Sequence, residues 1–216
     1  MKYKAIIWDM DGTVLDTLED LCDSVNFVMT KYSCPTRTLE ETRCSVGNGL
    51  RQLMELSTPG GESHPEFESI FADMKSYYSE HCRVKTRPYD GIDKVLDTFK
   101  AAGIKMAIVS NKLDSAVKDL VRDFYPQVNY SLGETEGLAR KPAPDMVEKA
   151  LAELGVTKEE TIFIGDSEVD VQTAQNAGLR CISALWGFRK KEELIPYGAD
   201  TFADKTEDLI SMILGE

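Results

Sequence analysis

Short unbroken apolar runs recur along this chain, and each ends abruptly in polar residues. The run in YKAIIWD stops at Asp9, that in IKMAIVSNK at Ser110 and Asn111, and that in ETIFIGDS at Gly165 and Asp166; LRCISALWG is a weaker fourth case. Runs of this length, rich in β-branched residues and without alternation, predict strands covered on both faces, as in a parallel sheet. Between them the apolar positions shift to helical spacing. GIDKVLDTFKAAG places Ile92, Val95, Leu96 and Phe99 on one face and stops at Gly103. DSAVKDLVRDF and APDMVEKALAELG repeat the design, the second ending at Gly155. Strand and helix in alternation imply right-handed crossovers, so the expected fold class is α/β, with a doubly wound, Rossmann-like parallel sheet.

Residues 16 to 86 break that alternation. TLEDLCDSVNFVMTKY, TLEETRCSV, NGLRQLMELS and PEFESIFADMKSYYSEHC all carry helical patterns, and no buried strand is evident before RPYDG. Pro88 and Gly91 read as boundary residues. The expected organisation is a catalytic core of residues 1–15 and 87–216, with an all-helical cap of residues 16–86 inserted after the first strand.

At 216 residues the chain is long enough for a core that needs no disulfide or structural metal. A net charge of -12 argues against a nucleic-acid surface, and it means that an anionic ligand would need local positive charge. The five cysteines form no Cys-x-x-Cys pair, and His64 and His81 complete no zinc pattern, which predicts free thiols. No stretch has membrane-spanning length or the form of a signal peptide. A cytoplasmic protein without membrane or nucleic-acid partners is expected.

In an open parallel sheet, ligands bind at the carboxyl ends of the strands, where the polar terminators meet. Asp9 and Asp11, two apart, lean to one side in extended geometry. Asp166 ends another strand, and Asp170 follows one helical turn later. Carboxylates brought to one point repel one another and resist ionisation; a hard cation such as Mg²⁺ resolves the conflict. Taken singly, each residue has a structural reading. Asp-Gly is a common turn, Asp166 and the Ser110-Asn111 pair suit helix caps, and Lys141 before Pro142 suits a solvated loop. Their shared place at or after the strand ends of one sheet favours a site.

DMDGT, Ser110 in IVSNK, Lys141 in RKPAPD, and GDSEVD occur in this order and span residues 9 to 170. They resemble the four motifs of the haloacid dehalogenase superfamily of phosphohydrolases, with Trp8 standing where Phe is commoner, and the helical insertion is similar to that superfamily's early-inserted cap. The resemblance implies Asp9 as a nucleophile forming an aspartyl-phosphate, and Asp11 as general acid and then base. It implies Mg²⁺ held by Asp9, Asp166 and the backbone carbonyl of Asp11, with Asp170 standing behind these ligands. Gly12, Thr13, Ser110, Asn111 and Lys141 would lie at the phosphate, Lys141 also keeping Asp9 ionised.

SVGNGLRQLM and ALWGFRKKEELIPYGAD resemble the phosphoglycolate phosphatase branch, which implies a small phosphorylated metabolite, 2-phosphoglycolate first, as substrate. On this reading the Gly47-Asn48-Gly49 turn admits an anion and Arg51 binds its carboxylate. A helix-connecting turn with a surface arginine accounts for the same residues equally well. Related branches act on pyrophosphate, nucleotides or sugar phosphates, and some are phosphomutases. Thr38 to Ser57 contains no lysine for a Schiff base, which counts against the phosphonate-cleaving branch. A phospho-acceptor signalling module would also use Mg²⁺, a hydroxyl and a lysine, but it would lack Asp-x-Asp-Gly-Thr and a cap. A monomer or a homodimer fits equally.

Overall fold

The computed structural model describes residues 3–215. The chain runs from β1 (Ala5–Trp8) through the two-residue β2 (Leu15–Asp16) into four helices, α1 (Leu18–Lys31), α2 (Leu39–Ser45), α3 (Gly49–Ser57) and α4 (Phe67–His81). It continues through β3 (Arg87–Pro88), α5 (Ile92–Ala101), β4 (Lys105–Leu113), α6 (Asp114–Phe124), β5 (Tyr130–Glu134) and α7 (Asp145–Leu154). The last elements are β6 (Thr161–Gly165), α8 (Glu168–Ala177), β7 (Arg180–Ala184), α9 (Lys191–Leu194), β8 (Phe202–Ala203) and α10 (Asp208–Leu214). The chain divides into two compact units, residues 16–87 and the remainder.

In the larger unit six parallel strands follow the order β5-β4-β1-β6-β7-β8. Central β1 pairs with β4 and β6, so that Trp8 lies opposite both Ile108 and Ile164. The polar residues that follow these three positions therefore emerge at one edge of the sheet. Alternate residues of β1 serve opposite faces. Ile6 and Trp8 join the cluster that includes Phe99 of α5, Leu120 of α6 and Leu209 of α10, while Ala5 and Ile7 join Val147 and Leu151 of α7 and Ala174 of α8. Burial on both faces is why these strands read as continuous apolar runs. Each large side chain removed from water contributes roughly 1.5–3 kcal/mol, ample for a core without cross-links; all five cysteines are free.

β5 and β8 lack the apolar signature of the inner strands. Both lie at the ends of the sheet, and β5, reading Tyr-Ser-Leu-Gly-Glu, is buried only in part. An edge strand needs just one paired side, so polar residues and glycine persist in it.

The smaller unit is helical, with α1 against α2 and α4, and α3 against the same two. Thr38 begins α2 with a reciprocal capping box: its side chain accepts from the Glu41 N–H, while the Glu41 carboxylate accepts from the Thr38 N–H. Asp20, buried in the first turn of α1, accepts the backbone N–H groups of Lys85 (2.9 Å) and Thr86 (2.9 Å), so one carboxylate ties together both ends of the insertion. Among the described residues no helix is long and apolar enough to cross a membrane.

Candidate active site

The site begins where β1 ends. Asp9 continues the ladder by one bond, its N–H donating to the Ile164 carbonyl (2.8 Å), which fixes the backbone that carries its carboxylate. The next residues coil tightly, with the Met10 carbonyl accepting the N–H groups of Thr13, Val14 and Leu15. Asp166 emerges beside Asp9 from the end of β6, and α8 follows at once. Its N-cap is Ser167, in a capping box with Asp170. Asp170 Oδ2 accepts from the Ser167 hydroxyl (2.6 Å), the Ser167 N–H (3.0 Å) and the Asp166 N–H (3.2 Å).

The carboxylates of Asp9, Asp166 and Asp170 come together, with one oxygen from each within 4.8 Å of the others. All three are buried. Lys141 bridges two of them, its Nζ 2.6 Å from Asp9 Oδ1 and 2.7 Å from Asp170 Oδ1. Burial and then the nearby charge of Asp170 push the Asp9 carboxyl well above its ordinary range; Lys141 opposes the rise without cancelling it. Burial followed by the Asp170 charge also raises Asp166, to about 7. Burial disfavours the Lys141 ammonium, but the charges of Asp170 and Asp9 outweigh it and hold the lysine above its usual range. One buried cation thus stands among three buried acids, a donor set of hard oxygens that suits a divalent cation.

Positions around the cluster refine the expected roles. Ser110 is buried near the end of β4, and its Oγ accepts the Lys112 N–H (3.2 Å). Asn111 turns to Lys141, its Nδ2 donating to the Lys141 carbonyl (2.9 Å) and its Oδ1 accepting the Lys141 N–H (2.9 Å). The Thr13 hydroxyl donates to Asp166 Oδ1 (2.9 Å). The Asn111 amide and the Thr13 hydroxyl, both expected at the phosphate, each hold a charged member of the cluster in place.

Gly12 has φ +89°, and a Cβ there would fall 2.3 Å from Asp166 Oδ2. Arg51 lies in the helical unit, where its guanidinium meets Glu62 (2.7 Å) and Glu68 (2.6 Å) and lies over the rings of Phe67 and Phe71. A substrate carboxylate at Arg51 would compete with two carboxylates of the same unit.

Three contacts escaped the sequence reading. Lys112 Nζ lies 2.8 Å from Asp11 Oδ1, the Phe188 N–H donates to Asp166 Oδ2 (2.7 Å), and Gly187 packs against the same acid. Lys112 left a usable signal, being the third polar residue at a strand end. Gly187 left none, because its constraint is the proximity of distant backbone. A Cβ at Gly187 would lie 2.3 Å from the Gly12 carbonyl oxygen and 2.4 Å from Asp166 Cβ. Gly187→Ala is expected to destabilise the protein by about 1–3 kcal/mol, the usual range for overpacking, and to lower activity by displacing Asp166. Urea denaturation with steady-state kinetics checks this, and a variant unchanged in both would contradict the close packing.

A parallel strand ending in an acid, a lysine-bridged carboxylate cluster and a helical insertion together point to a hydrolase class. The chain belongs to the haloacid dehalogenase-like hydrolase family, whose model matches residues 6–184. It is 28% identical to the N-acetylmuramic acid 6-phosphate phosphatase of Pseudomonas aeruginosa, covering 99% of this chain and 96% of that protein. It is 33% identical to a phosphoglycolate phosphatase of Rhodobacter capsulatus, covering 90% of each. A crystal structure of a candidate phosphoglycolate phosphatase from Lactobacillus delbrueckii subsp. bulgaricus superposes with a TM-score of 0.95 at 36% identity, covering 100% of both chains.

Proposed function

We propose that the chain is a magnesium-dependent phosphatase of small phosphorylated metabolites, with 2-phosphoglycolate as its substrate. The observation that carries this reading is Lys141 bridging Asp9 and Asp170 beside Asp166, because it joins a strand-end nucleophile, a phosphate-attracting cation and a metal-compatible acid set.

Asp9 attacks phosphorus through a carboxylate oxygen, the ester P–O bond breaks, and Asp11 gives its proton to the departing alkoxide. Asp11, now ionised, takes a proton from water as the water oxygen attacks the aspartyl-phosphate phosphorus. Inorganic phosphate leaves and Asp9 is regenerated. Lys141 keeps positive charge beside Asp9 and offsets its repulsion of an incoming phosphate. Ser110 binds a phosphate oxygen, and Asn111 fixes the Lys141 backbone. Asp9, Asp166 and the Asp11 carbonyl are the residues to hold Mg²⁺, which when bound neutralises charge on the transferring phosphoryl group. Asp170 stays behind, its two oxygens engaged by Lys141, Ser167 and the Asp166 N–H.

Phosphate release across 2-phosphoglycolate, N-acetylmuramic acid 6-phosphate, a hexose phosphate and pyrophosphate, compared by kcat/KM, tests the reading. The highest value is expected for 2-phosphoglycolate, falling to background in excess chelator. Absence of turnover with every compound, or undiminished turnover in chelator, would overturn it.

The same acids make stability depend on pH and metal. Asp166 has an ordinary value of 3.8 and is raised to about 7 in the fold, so between those limits the folded state binds more protons than the unfolded one. Stability of the metal-free protein therefore falls as pH rises from about 4 to about 7, and Asp9 acts in the same direction. Mg²⁺ takes the place of the protons, so it is expected to raise Tm more at pH 8 than at pH 5. Calorimetry at both pH values, with and without MgCl₂, checks the sign.

A further inference from the structure

The mechanism above assigns no task to Lys112, a buried cation. Lys112 Nζ lies 2.8 Å from Asp11 Oδ1, and only 3% of the lysine side chain is exposed. Burying an ammonium is costly, and a neutral donor would suffice to orient a carboxyl group. Lys141 already supplies the positive charge shared by Asp9 and Asp170. Among the described residues of the core unit two lysines are buried and have different partners, Lys141 on the nucleophile and Lys112 on the acid.

The position of Lys112 follows from that of Asp11. To protonate the departing oxygen, Asp11 must face the leaving alcohol, and Lys112 stands one hydrogen bond from Asp11. The end of β4 also links the two halves of the substrate. Ser110 accepts the Lys112 N–H, and Asn111 between them clamps the backbone of Lys141. One strand end thus spaces the phosphate-side residues from the leaving-group cation. Arg51, the other candidate for a substrate anion, has its guanidinium paired with Glu62 and Glu68.

We infer that Lys112 is a specificity residue that receives a carboxylate carried by the leaving alcohol on the carbon next to the ester oxygen. The substrate class is then the phosphate esters of 2-hydroxy acids. This inference rests on the phosphatase reading, with Asp9 as nucleophile and Asp11 as acid, and deepens it. A single carbon between ester oxygen and carboxylate lets Asp11 meet the oxygen while Lys112 meets the anion. A neutral alcohol offers Lys112 nothing.

Lys112→Gln keeps a donor near Asp11 and removes the charge. With 2-phosphoglycolate its kcat/KM is expected to fall about 10- to 100-fold further than with ethyl phosphate, the range of a charge-assisted hydrogen bond. KM should carry most of that difference. Lys112→Met should show the same selectivity, with an added loss of kcat on both esters. Equal losses on the two esters, or no loss on either, would overturn the inference and leave the phosphatase reading standing.

Calorimetric binding of both esters to Asp9→Asn and to Asp9→Asn/Lys112→Gln separates the two ideas. If the wild-type protein releases no phosphate from either ester, the phosphatase reading falls. The binding arm then decides Lys112 alone: selective weakening of 2-phosphoglycolate supports the anion site, and unchanged or absent binding overturns it.

Discussion

Asp9→Asn is expected to lower kcat by on the order of 10⁴–10⁶-fold, the scale seen when a covalent nucleophile is removed, while the protein stays folded. The amide has the shape of the carboxylate but cannot form the aspartyl-phosphate. Stability should change little, because two effects oppose each other. The variant loses a 2.6 Å ion pair with Lys141, and it also relieves the repulsion of Asp9 by Asp170 and Asp166. Lys141 keeps Asp170 as partner at 2.7 Å. A net effect near 1 kcal/mol corresponds to about 2–4 °C in Tm for a chain of this size. Stopped-turnover mass spectrometry should find one phosphoryl group on the peptide containing Asp9 in the wild type and none in the variant. Activity within tenfold of wild type would remove Asp9 as nucleophile.

The second large effect belongs to Lys141→Met, which should cost about 3–5 kcal/mol of stability and reduce turnover to background. Among the described residues the lysine is the one cation bonded to both Asp9 and Asp170, and its removal takes that counter-charge from buried carboxylates. The destabilisation should be greatest at pH 8 and smaller at pH 5, where the acids take up protons. Adding Asp170→Asn to Lys141→Met should recover part of the stability and none of the activity, because it removes a repelling charge without restoring one beside the nucleophile. Denaturant titration of the single and double variants at both pH values measures this coupling. A single variant as stable as wild type at pH 8 would show that Lys141 does not balance the cluster.

Much of this was legible in the residue order because the central strands are buried on both faces. Ala5–Trp8 and residues 162–164 are apolar throughout, so the place where each run turns polar also marks where its candidate site residue, Asp9 or Asp166, stands. Helices such as α5 and α7 announced themselves by spacing and by their terminal glycines. The edge strands β5 and β8 escaped, since strands paired on one side need no continuous apolar run. The same contrast holds within the site. Asp9, Asp166 and Lys141 carry chemistry that few other residue types can supply, and each follows a recognisable terminator or motif. The double hold of Asn111 on the Lys141 backbone, the Thr13 hydroxyl on Asp166 and the approach of Gly187 to that acid all join segments far apart in the chain.

The order of residues by itself determined the alternating α/β core, the helical insertion and the candidate set of strand-end acids with Lys141. These follow from local periodicity and from the chemistry of single side chains, both written in neighbouring positions. Only the tertiary structure decided the pairing: Lys141 on Asp9 and Asp170, Lys112 on Asp11, and Arg51 on Glu62 and Glu68. Which acid a buried lysine meets depends on sheet order and register, and those are set by packing between segments that the chain itself keeps apart, 29 residues for Lys141 and Asp170 and 132 for Lys141 and Asp9.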